Sequence, residues 1–122
     1  MTTMNVQELH RWREEGRDFV LVDTLPPSAF EKAHLPGAIN IMSDEILKRA
    51  ARELPDKTRD VVVYCASARC KRAGLSAERL ERLGYQNIYH FVGGKRDWRE
   101  AGLPLEGSDR DSVTDSGADN GA

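Results

Sequence analysis

Val61-Val62-Val63-Tyr64-Cys65-Ala66-Ser67-Ala68-Arg69-Cys70-Lys71-Arg72 carries a strand signal, a cysteine loop and the start of a helix in immediate succession. Its first four residues form the most apolar, β-branched run in the chain, as expected for a strand. The run leads directly into Cys65. Beyond the basic residues, Ala73, Ala77 and Leu80 line one face of a helix that ends at Gly84. A thiol therefore lies at the junction of strand and helix.

Working outward toward the N-terminus, Ser43 is expected to cap a helix with the apolar face Ile46, Leu47, Ala50, Ala51 and Leu54, stopped by Pro55. Leu35-Pro36-Gly37 marks a turn and Ala38 to Ile41 a brief strand, after a short irregular or helical piece around Ser28 to Ala33. Phe19-Val20-Leu21-Val22, ending at Asp23, reads as a buried strand closed off by Pro26-Pro27. Asn5 and Glu8 form a capping-box pattern ahead of Val6, Leu9 and Trp12, with Gly16 as the stop of that first helix.

Toward the C-terminus, Ile88 to Val92 reads as the last strand, Gly93-Gly94 as a turn, and Asp97 to Ala101 as a short helix containing Trp98. Strands and helices alternate throughout. The expected architecture is therefore α/β, a small, mostly parallel sheet with helices on both faces and ligands gathering at the carboxyl ends of the strands.

The 122 residues fit one domain, and 39% hydrophobic with 31% charged residues is enough apolar material for a core. The expected boundaries are a domain over residues 1–106 and a disordered, polar and acidic tail over 107–122, which has almost nothing to bury. The tail carries a net charge of −3, which leaves the body nearly neutral and gives no sign of a nucleic-acid or membrane partner. With no apolar run of transmembrane length and no signal-peptide pattern, a cytoplasmic location is expected.

Arg69, Lys71 and Arg72 are the only charged residues between Asp60 and Glu78, so positive charge gathers where the helix begins. A thiol with an ordinary pKa of about 8.5 becomes a nucleophile when a helix N-terminus and nearby cations stabilise its anion. The short residues Ala66, Ser67 and Ala68 allow successive amides to converge into an anion-binding nest. On these grounds a reactive Cys65 and a merely buried strand-end cysteine are evenly matched.

The text around this loop adds a further argument. Val-Val-Val-Tyr-Cys at 61–65, Leu83-Gly84-Tyr85-Gln86-Asn87-Ile88-Tyr89, Gly93-Gly94 with Trp98, and Ala101-Gly102-Leu103-Pro104 resemble the rhodanese-like sulfurtransferase family. Leu21-Val22-Asp23 and His34-Leu35-Pro36-Gly37-Ala38-Ile39-Asn40 resemble its N-terminal motifs, in order, so that the likeness covers about residues 4–106. The resemblance implies transfer of sulfane sulfur from a small-molecule donor such as thiosulfate to cyanide or a thiol, with an acceptor protein as a further option. Cys65 takes the place of the nucleophile, Ala66, Ser67, Ala68, Arg69 and Cys70 that of an amide cradle, and Arg69, aided by Lys71 or Arg72, that of an anion contact. Asp23 and His34 are read as structural, and no cofactor or metal is expected, since two thiols without a nearby His are too few for zinc.

Three positions depart from the pattern of many active members. Ala68 stands where a Gly is frequent three residues after the cysteine, Leu25 where an Arg follows the first-strand Asp, and Ala33 where a Gly precedes His34. If the loop requires positive φ at residue 68, Ala is expected to tighten it and slow thiosulfate turnover. Cys70 has two readings: a resolving thiol that attacks a Cys65 persulfide, or, preferred, a small hydrophobe packed at the helix start. Two rival functions remain, a non-catalytic protein-binding or regulatory module, and a Cys-dependent phosphatase. The latter needs an Arg six residues after the Cys, where Lys71 stands.

Overall fold

The computed structural model of the chain describes residues 1–109. Its elements run β1 (Thr2–Met4), α1 (Val6–Glu14), β2 (Val20–Asp23), α2 (Pro27–Lys32), β3 (Ile39–Asn40), a 3-10 turn (Ser43–Glu45), α3 (Ile46–Glu53), β4 (Asp60–Tyr64), α4 (Arg72–Arg82), β5 (Asn87–Phe91) and α5 (Gly94–Glu100). The strands form one sheet in the order β1-β5-β4-β2-β3, every neighbouring pair parallel. The α/β architecture expected from the alternation is the one observed.

Period-two alternation along β4 sends successive side chains to opposite faces. Val61, Val63 and Cys65 enter a cluster with Ile46, Ala50 and Leu54 of the α3 segment and Ala73, Ala77 and Leu80 of α4. Val62 and Tyr64 enter a second cluster with Leu9 of α1, Leu35, Phe91, Trp98 of α5 and Leu105. β4 is thus buried on both sides, and whatever leaves its carboxyl end is held by two cores. Trp98 is 2% exposed and its indole N–H donates to the Pro104 carbonyl at 2.8 Å. Trp98→Ala is expected to destabilise the fold by about 3–5 kcal/mol, read as a lowered denaturant midpoint at unchanged slope.

The capping box is present as read: the Glu8 amide donates to Asn5 Oδ1 at 2.9 Å and the Asn5 amide to Glu8 Oε1 at 2.8 Å. Two details differ. Ser43 does not cap a helix, because its Oγ accepts from Arg72 at 3.0 Å and a 3-10 turn intervenes before α3. The strand β1 was not anticipated, because only Met4 of its three residues is buried and Thr-Thr carries no apolar alternation. Of the segment assigned to a tail, Ser108 and Asp109 donate amides to the Glu31 and Lys32 carbonyls, each at 2.9 Å, while residues 110–122 lie outside the described residues. Among the described residues no helix is long and apolar enough to cross a membrane.

Candidate active site

Cys65 is the first residue past β4, the central strand, and six residues separate it from the start of α4 at Arg72. A turn folds the loop back on itself: the Cys70 amide donates to the Ser67 carbonyl at 3.1 Å, and the Arg69 amide to Ser67 Oγ at 3.3 Å. The consequence is a disulfide between Cys65 and Cys70, with Cα atoms 6.2 Å apart. The preferred expectation of a packed, unpaired Cys70 is corrected here, since the turn brings the second thiol back over the first within the reach a bridge needs. Cys65 is 2% exposed, whereas Cys70 is only partly buried.

The other wall of the loop is the start of α5. The Lys95 amide donates to the Cys65 carbonyl at 3.0 Å and the Arg96 amide to the Ala66 carbonyl at 2.9 Å, using N–H groups that a helix start leaves without intrahelical partners. Gly94 makes this approach possible. Its φ is +62°, and a Cβ there would press into the Cys65 carbonyl oxygen and lie 2.9 Å from the Ala66 carbonyl carbon. From residue types alone Gly93-Gly94 reads as a turn, and the only sequence signal for this clamp is a Gly pair directly before a helix.

The cations are not equivalent. Arg72 is held by Ser43 Oγ and stands 3.8 Å from Asp44, so it braces the 3-10 turn. Arg69 and Lys71 are exposed, and among the described residues neither side chain has a partner. Two basic side chains are therefore available to an anion at the loop. The Arg69 and Cys70 amides, expected to line a cradle with those of Ala66, Ser67 and Ala68, are turned onto Ser67 in this disulfide-closed form. Ala68 is exposed and has no positive φ, so the closed loop places no backbone strain on it.

Leu25 is buried in the same apolar cluster as Cys65, and Ala33 packs into the opposite cluster with an extended backbone that any residue adopts. A cavity of about 300 Å³ opens beside Ala68, between Asn5, Glu8, Gly93 and Asp97. A larger depression of about 450 Å³, lined by Arg13, Arg17 and Arg59, contains none of the loop residues and lies where β2 and β4 begin.

Beneath the site, Asp23 and Tyr64 form a buried pair. The Tyr64 hydroxyl donates to Asp23 Oδ2 at 2.8 Å and accepts from the Leu35 amide at 3.0 Å, while the Leu25 amide donates to Asp23 Oδ1 at 2.9 Å. Lys95, also buried, donates to the Ala33 carbonyl at 2.9 Å. Burial raises the Asp23 pKa above its ordinary value, against the opposing pull of the Leu25 amide, Lys95, Tyr64 and His34. Burial, and then the Asp23 charge, lifts the Tyr64 hydroxyl well above 10. Tyr64 therefore stays protonated and serves as a donor. His34 stacks on Phe30 with ring centroids 3.9 Å apart, and its Nδ1–H donates to the Phe30 carbonyl at 2.6 Å.

Tyr64→Phe leaves Asp23 Oδ2 and the Leu35 amide without this partner and is expected to destabilise the fold by about 1–3 kcal/mol in chemical denaturation. The raised Asp23 pKa also fixes a pH dependence. Its contribution is fully present below the unfolded value of about 3.9 and is lost as pH rises through the raised native value. Wild type measured against Asp23→Asn should therefore lose relative stability with rising pH across that window and then level off. A difference that grows with pH would contradict the assignment.

A parallel sheet whose central strand delivers a cysteine into a loop ahead of a helix, clamped by a second helix start, defines a class of thiol-bearing α/β domains. The chain belongs to the rhodanese-like domain family, whose model matches residues 5–101. Over 99 residues it is 39% identical to the HTH-type transcriptional regulator Rv0324 of Mycobacterium tuberculosis, covering 81% of this chain and 42% of that protein. It is 36% identical over 76 residues to the thiosulfate sulfurtransferase PspE of Escherichia coli K12, covering 62% of this chain and 70% of PspE. The rhodanese-like domain of the Anabaena sp. Alr3790 protein superposes with a TM-score of 0.81 at 26% identity, covering 100% of this chain and 90% of that domain. The chain thus spans under half the length of the Mycobacterium regulator it resembles.

Proposed function

We propose that the protein is a sulfurtransferase that moves sulfane sulfur from a donor such as thiosulfate to cyanide or a thiol through a persulfide on Cys65. The observation that carries this reading is the position of Cys65: it ends the central strand of a rhodanese-like domain, in a loop whose free cations are Arg69 and Lys71. With the disulfide reduced, the Cys65 thiolate attacks the outer sulfur of thiosulfate. A new S–S bond forms, the old one breaks, and sulfite leaves with its electron pair. Attack of cyanide or a thiol on the outer persulfide sulfur then returns the Cys65 thiolate.

In the open loop, the amides of Ala66 to Cys70 stabilise negative charge on donor and leaving group, as oxyanion donors do. Arg69 and Lys71 hold the donor anion, and Arg72 supports the loop from Ser43. Residues 1–106 form the functional unit, so a chain ending at Asp109 is expected to retain turnover. A cytosolic setting suits the chemistry, because reducing conditions keep the cysteine pair open.

Thiocyanate formation from thiosulfate and cyanide by the reduced protein tests the reading, and turnover of an aryl phosphate with none of thiosulfate would refute it. A second reading, a regulatory module without turnover, draws on the likeness to a transcriptional regulator and on the apolar Leu25 in the same buried cluster as Cys65. Equal, negligible rates for wild type and a Cys65 variant would favour it.

A further inference from the structure

The thiol of Cys70 has no part in a simple persulfide relay, to which this residue gives only the backbone amide that a serine would keep, yet the fold joins its sulfur to that of Cys65 between the end of β4 and the start of α4. The turn at Ser67 is closed by two hydrogen bonds of its own, so the approach of the two sulfurs is built into the loop. We propose that Cys70 is a resolving thiol that converts the Cys65 persulfide into free sulfide, so that the protein reduces sulfane sulfur at the expense of an external dithiol. This step rests on the sulfurtransferase reading, because the persulfide it consumes is formed there.

The chemistry balances within the loop. The Cys70 thiolate attacks the inner sulfur of the persulfide, which is the Cys65 Sγ to which it is bonded in this structure. The Sγ–Sγ bond forms, the bond from Cys65 Sγ to the outer sulfur breaks, and the outer sulfur departs with the electron pair as hydrosulfide. Sulfane sulfur is reduced by two electrons and the cysteine pair is oxidised by two. Arg69 and Lys71 flank Cys70 in sequence, and Cys70 stands one residue before the α4 cap at Lys71.

The difference in exposure decides how the pair is reopened. In the disulfide-closed loop Cys65 is 2% exposed, while Cys70 is only partly buried. A thiolate of the external dithiol therefore reaches the Cys70 sulfur, forming a mixed disulfide there and expelling Cys65 as the thiolate. The second thiol of the reductant then frees Cys70. Over the cycle, thiosulfate and the dithiol become sulfite, hydrogen sulfide and a disulfide.

The test is a single turnover of reduced protein freed of reductant and mixed with thiosulfate, read as sulfite, sulfide and intact mass. Wild type should release one equivalent each of sulfite and sulfide and finish lighter by two hydrogens. Cys70→Ser should release sulfite, keep one added sulfur, and yield sulfide at least about 100-fold more slowly until dithiothreitol is added, since it loses the intramolecular attack. If wild type loads sulfur and keeps it as Cys70→Ser does, the resolving role is overturned while the transfer reading stands. If neither protein releases sulfite or gains sulfur, both are overturned.

Discussion

Under reducing conditions Cys65→Ser is expected to form thiocyanate from thiosulfate and cyanide about 1,000-fold or more slowly than wild type. A serine hydroxyl at this place is isosteric but does not ionise near neutral pH, and it has no sulfur with which to hold a sulfane atom. The helix start and the cations that stabilise a thiolate cannot shift an alcohol far enough to compensate. The substitution buries a hydroxyl in the apolar cluster at a cost of about 1–3 kcal/mol, so circular dichroism should show a folded protein. A folded variant with residual turnover above one tenth of wild type would remove Cys65 from the chemistry.

Gly94→Ala carries the second large effect. A Cβ at residue 94 presses into the carbonyls of Cys65 and Ala66, and Ala is strained at a φ of +62°. Strain and overpacking together are expected to lower stability by about 2–5 kcal/mol. Because the displaced atoms are the first two residues of the cysteine loop, turnover should fall further than the folded fraction does. Thermal unfolding and thiocyanate formation measured on the same sample separate the two. Gly102→Ala is the comparison: its Cβ meets nothing within 4 Å, so it shares the strained φ of +80° without the clash and should retain turnover.

The parts of the fold that were legible in the sequence are those in which local pattern and burial agree. Val61 to Tyr64 is apolar at every position because β4 is covered on both faces, and Asn5 with Glu8 forms a cap between residues three apart. The location of the candidate site followed from the same strand. Contacts between segments distant in sequence were not legible. Ser43 looks like a cap, but Arg72, 29 residues away, takes its hydroxyl. Gly93-Gly94 looks like a turn, but the Lys95 and Arg96 amides meet a loop about 30 residues earlier.

The pairing of Cys65 with Cys70 lies between these cases. A separation of five permits either a bridge or two distant thiols, and the choice depends on whether the intervening backbone turns back. Ser67 makes it turn, by accepting from Cys70 with its carbonyl and from Arg69 with its hydroxyl. Neither hydrogen bond can be inferred from residue types alone. The same turn explains why Ala68 is tolerated, since no residue of the closed loop from Cys65 to Lys71 has positive φ.

The most direct test of a sulfur-carrying Cys65 is peptide mapping by mass spectrometry of reduced Cys70→Ser protein after exposure to thiosulfate. One additional sulfur atom on the peptide containing Cys65, removed by cyanide, is the predicted result. An unmodified Cys65 peptide from folded, reduced protein would contradict the account.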